Sequence, residues 1–133
     1  MNARKALAEK IRPDLPAAYR VIDYPDALRM LDHRTPAAIV IEGTSIATGD
    51  TSPDGARIPI VWTLSLWVVV DGSRGDLPAD TEDRLDEALE ATIRALVKLP
   101  AHLWDGTAER TQYDTQKPAY RLTITAHGHI TEE

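Results

Sequence analysis

A chain of 133 residues, 43% of them hydrophobic, is long enough to fill one modest core, so a single domain spanning 1–133 is expected. Fifteen Lys and Arg against 21 Asp and Glu leave a formal charge of -6. That balance argues against a general phosphate-binding surface, because non-specific nucleic-acid affinity comes mainly from cationic neutralisation of phosphates. With no cysteine, disulfides and thiolate metal sites are excluded, and packing must hold the fold.

The opening MNARKALAEKIRPDLP has charges at both ends of a short apolar stretch, and no segment approaches the ~20 apolar residues of a membrane span. A soluble, unexported protein is therefore expected. Ala3, Leu7 and Ile11 recur on one helical face, and Pro13 and Pro16 end the pattern, which predicts a short helix over 2–12. Arg4, Lys5, Lys10 and Arg12 against Glu9 make it basic in an acidic chain. Residues 18–24 (AYRVIDY) favour a strand, and DALRMLDHR returns to helical spacing through Ala27, Met30 and Leu31 as a short helix or turn. Residues 36–47 (PAAIVIEGTSIA) read as a second strand, with Gly43 marking a bulge or a close approach. The stretch 48–57 (TGDTSPDGAR) concentrates Gly, Pro, Asp and Ser, as a long hairpin loop able to order on contact does.

The clearest pattern is 58–71 (IPIVWTLSLWVVVD), in which every even position from Ile58 to Val70 is apolar, the period of a β-strand. At about 3.3 Å per residue the run spans roughly 46 Å, more than twice the usual strand, so part of it should project beyond its own core. A projecting strand offers backbone and side chains to a partner. Trp62 lies on the even face and reads as core. Trp67 shares the odd face with Val61, Thr63, Ser65, Val69 and Asp71, which fits either a second small core or an interface anchor.

Residues 71–79 (DGSRGDLPA) read as a loop, with Asp80 placed to cap the next helix and Asp83 three residues on. Leu85, Ala88, Leu89, Thr92, Ile93, Leu96 and Leu99 then keep to one face, with Asp86, Glu87 and Glu90 elsewhere and Pro100 closing the helix. AHLWDG (101–106) reads as a turn and 109–113 as an irregular strand. In 119–130 (AYRLTITAHGHI) apolar even positions alternate with Arg121, Thr123, Thr125, His127 and His129, a strand with one packed face and one wet or interfacial face. The element order predicts an α+β domain: a mostly antiparallel four- to five-stranded sheet with a long helix and a short N-terminal helix packed on one face.

No pattern specifies chemistry. His127 and His129 share a strand face, but two histidines leave a metal short of ligands and read as surface or contact residues. Glu82, Asp83, Asp86, Glu87 and Glu90 sit where acids suit a helix amino terminus, so a solvated face is expected rather than a carboxylate site. Arg74, Gly75 and Asp76 read as turn residues rather than an adhesion tripeptide. Ser45 and Ser65 lack the G-x-S-x-G elbow, and no Gly-rich loop precedes a helix. No catalytic residue, cofactor or metal is expected, and the chain reads as a non-enzyme.

In element order and length the chain resembles the tail terminator proteins of long-tailed phages, also described as minor tail or tail completion proteins. The resemblance rests on NARKALAEKIR, YRVIDY, the strand pair AAIVIEGTSIA and IPIVWTLSLWVVVD joined by a polar loop, EDRLDEALEATIRALVKL, and YRLTITAHGHI. It implies a structural virion protein, made in the host cytoplasm, that assembles as a ring, usually a homo-hexamer. Such a ring caps the tail tube and joins it to the head-tail connector, with itself, the tube protein and the connector as partners. Neither nucleic-acid sequence recognition nor a membrane is implied. A basic and an acidic patch on one chain can pair between unlike faces of ring neighbours. Lys5, Lys10 and Arg12 on one side, and Asp83, Glu87 and Glu90 on the other, are the expected contacts; Trp67 and the loop residues Asp50, Asp54 and Arg57 are expected to meet the tube, the connector or the next subunit. Two alternatives stay open: a small acidic bacterial binding or immunity-type module with one basic partner, and a neck (head completion) protein.

Overall fold

Helix α1 (Ala3–Ile11) forms where the four-residue spacing places it, and Ala3, Leu7, Ala8 and Ile11 are buried on its inner face. The structure, a computed structural model, describes residues 3–23, 36–49, 57–71, 78–99, 102–114 and 117–131. The expected helix or turn through Ala27, Met30 and Leu31, the tripeptide 74–76, the loop residues Asp50 and Asp54, and Pro100 lie outside them. A 3-10 turn, Arg12–Asp14, takes up Pro13 and ends α1. Then come β1 (Arg20–Ile22), β2 (Ala38–Thr48), β3 (Arg57–Val69), α2 (Pro78–Leu96), β4 (His102–Asp114) and β5 (Lys117–Thr131).

The five strands form one sheet in the order β1-β2-β3-β5-β4. β1 runs parallel to β2, and the other three pairings are antiparallel. The architecture is α+β with a mixed sheet and two helices. Strand sense depends on which distant segment a strand meets, so local alternation carries no trace of the parallel pair.

The even face of β3 is the core, as its pattern implied. Ile60, Trp62, Leu64, Leu66, Val68 and Val70 pack with Ile39 and Ile41 of β2 and with Leu122, Ile124 and Ala126 of β5. Leu7 and Ile11 of α1, and Leu85, Ala88 and Leu96 of α2, close that core, so both helices share one face of the sheet. The opposite face holds a smaller cluster, Ile22, Ala38, Val40, Val69 and Ala119, against which Trp67 packs.

Three local readings are corrected. First, α2 begins at Pro78, not at a cap on Asp80: a proline in the first turn gives up no helical hydrogen bond, and Asp80 falls inside that turn, where its charge still suits the dipole. Second, residues 102–106 are strand, not turn. The Asp105–Gly106 pair does bend the chain, but within β4: Trp104 pairs with Ile124 and Ala108 with Leu122, so 105–107 bulge out opposite Thr123. Third, the hairpin strands reach into the expected 48–57 loop from both sides. Thr48 pairs with Ile60, the Gly49 N–H donates to the Pro59 carbonyl at 2.9 Å, and β3 starts at Arg57.

Gly43 does mark an irregularity: the β2–β3 register shifts between Gly43 and Ser45. The extra residue, Thr44, donates its hydroxyl to the Thr63 carbonyl at 2.9 Å. At the other end of the sheet Arg84 of α2 donates to the Asp71 carbonyl at 3.1 Å and to the Pro36 carbonyl at 3.4 Å, tying the helix to the ends of two strands.

Candidate functional site

The two margins of the sheet differ in kind. On one side β1 pairs with only Ala38, Ile39 and Val40 of β2, so among the described residues the rest of β2 has no outer neighbour. Residues 43–49 there are exposed throughout, and Ile46 keeps 66% of its surface. This margin carries Gly, Thr, Ser, Ile and Ala with no charge and no proline, the devices that usually protect an edge strand. Beneath it, Ala3 and Arg4 at the start of α1, Ile46 of β2, and Trp62 and Leu64 of β3 line an open cleft of about 560 Å³. The even face of β3 stays buried as far as Ile60, with Ile58 half-buried and Pro59 exposed beyond it, and Trp67 lies near the other end of the strand.

The opposite margin is β4, where Leu103 is 53% exposed. It is interrupted by the 105–107 bulge, in which Gly106 adopts φ +88° and the Thr107 N–H donates to Asp105 Oδ1 at 2.9 Å. Trp104 Nε1 donates to the Thr107 carbonyl at 3.0 Å, which holds the bulge shut from the side.

Charge divides between the same two margins. Arg12 donates to the Val21 carbonyl at 3.2 Å and Arg4 to the Asp23 carbonyl at 3.0 Å, so the basic helix is strapped to β1. Lys5, seven residues before Arg12, lies on the same flank, and Arg20 of β1 is exposed at this margin on the opposite sheet face, the face of Ile22. Lys10, five residues from Lys5, points to another side of α1. On the far margin both Nη atoms of Arg110 (β4) donate to the Glu82 carboxylate at 2.6 Å, and Arg121 donates to Glu109 at 3.2 Å. Asp86, one turn after Glu82, is exposed on this flank. The Arg110 guanidinium holds the Glu82 carboxyl below its ordinary value against a smaller opposing effect of burial, and Glu82 in turn raises Arg110.

The remaining expected contact residues are not gathered into one patch. Asp83, Glu87 and Glu90 are exposed on α2, where Glu90 pairs with Arg94. Glu87 and Glu90 line a small cleft with Pro16 and Tyr19, and burial, aided by the Glu87 charge, raises the Tyr19 phenol. Arg57 pairs through its backbone with Thr131. Trp67 Nε1 donates to Glu42 at 2.9 Å, and Arg121 sits 5.9 Å from its ring centre. With the cluster beneath it, this makes Trp67 part of the second core. His127 is exposed on the same sheet face.

Sequence reasoning missed Ile46, Leu103 and Arg20. The first two look like ordinary strand residues, and only the strand order turns their positions into margins.

Among the described residues no helix is long and apolar enough to cross a membrane, and no group of three or more His, Cys, Asp and Glu side chains is placed to hold a metal. Compared with known proteins, the chain matches no protein-family profile and no curated protein sequence.

Proposed function

We propose that this chain is a structural ring subunit, a tail terminator of a long-tailed phage, that caps the tail tube and joins it to the head connector. The observation that carries the reading is the pair of unlike margins on one sheet: a neutral, exposed strand edge beside basic residues, and a bulged edge where Glu82 and Glu109 are paired with arginines and Asp86 is exposed. Unlike margins are what a head-to-tail contact needs, and a head-to-tail contact whose rotation closes makes a ring. The loop 48–57, of which Thr48, Gly49 and Arg57 are described, is the part offered to the tube or connector. The finer fold description, an antiparallel body with one long and one short helix on a single face, belongs to the same reading.

Light scattering with negative-stain microscopy on the purified chain tests it. The expected result is ring particles of about six subunits at moderate ionic strength. A strictly monomeric protein at high concentration overturns the ring, and a tight one-to-one complex with a basic bacterial protein would favour the binding-module alternative.

A further inference from the structure

We draw no further inference here: the strongest candidate, the open cleft between the start of α1 and the β2–β3 hairpin that Ala3, Arg4, Ile46, Trp62 and Leu64 line, carries nothing because nothing in the structure shows what covers it.

Discussion

Among single residues, Glu82 and Arg110 make the best-formed ion pair described, two parallel bonds of 2.6 Å with the guanidinium 5.7 Å from the Tyr120 ring centre. The geometry is strong but the setting is wet: the two side chains keep 49% and 43% of their surface, so screening holds the pair to about 0.5 kcal/mol. The folded carboxyl titrates below its ordinary value of 4.5, so the stabilisation is fully present above that value and is lost as pH falls through the lowered one. Denaturant titrations of the wild type and Glu82→Gln should therefore differ by about 0.5 kcal/mol at neutral pH, with the gap flat down to about pH 6 and closing below 4.5. A gap that widens on acidification would refute the assignment.

Among elements, β4 shows most clearly what a sequence hides. Its Asp-Gly pair carries turn chemistry, and the turn is real, but flanking residues on both sides find β5 and the strand absorbs it as a bulge. Pairing with a distant strand decided the outcome, and no local signal reports that. By contrast the even face of β3 and the inner face of α2 were legible, because burial on one side of a regular element imposes its period on the residues. For the margins, the basic and acidic residues were legible as composition, whereas their separation to opposite edges follows from strand order. Gly106 ties this to a measurable cost. Its φ of +88° strains any residue with a Cβ, although nothing lies within 4 Å of where that Cβ would stand. Gly106→Ala should therefore lower stability by roughly 1 kcal/mol through backbone strain alone, with the fold unchanged. A cost near zero in urea titration would mean the bulge relaxes to an ordinary strand.

At the scale of the whole molecule, the net charge of -6 conceals a polarity. One margin carries Lys5, Arg12 and Arg20, and the other Glu82, Asp86 and Glu109, of which Glu82 and Glu109 are paired with Arg110 and Arg121. If neighbours meet through these margins, two reversed chains behave in opposite ways. Lys5→Glu with Arg20→Glu makes both margins acidic, and Glu82→Lys with Asp86→Lys, which also leaves Arg110 without its partner, makes the far margin basic so that it repels its basic neighbour. Arg12 is left alone because its guanidinium also holds β1. Each variant by itself should sediment as a monomer, since every contact then opposes like charges. Mixed in equal amounts, acidic-sided and basic-sided chains can alternate around a ring, and alternation closes only for an even number of subunits, such as six. Rings should return on mixing and weaken as salt is raised, because the ~10 Å Debye length at 0.1 M shortens to about 3 Å at 1 M. Assembly of either variant alone, or a mixture of folded chains that stays monomeric, would rule out contact through the charged margins.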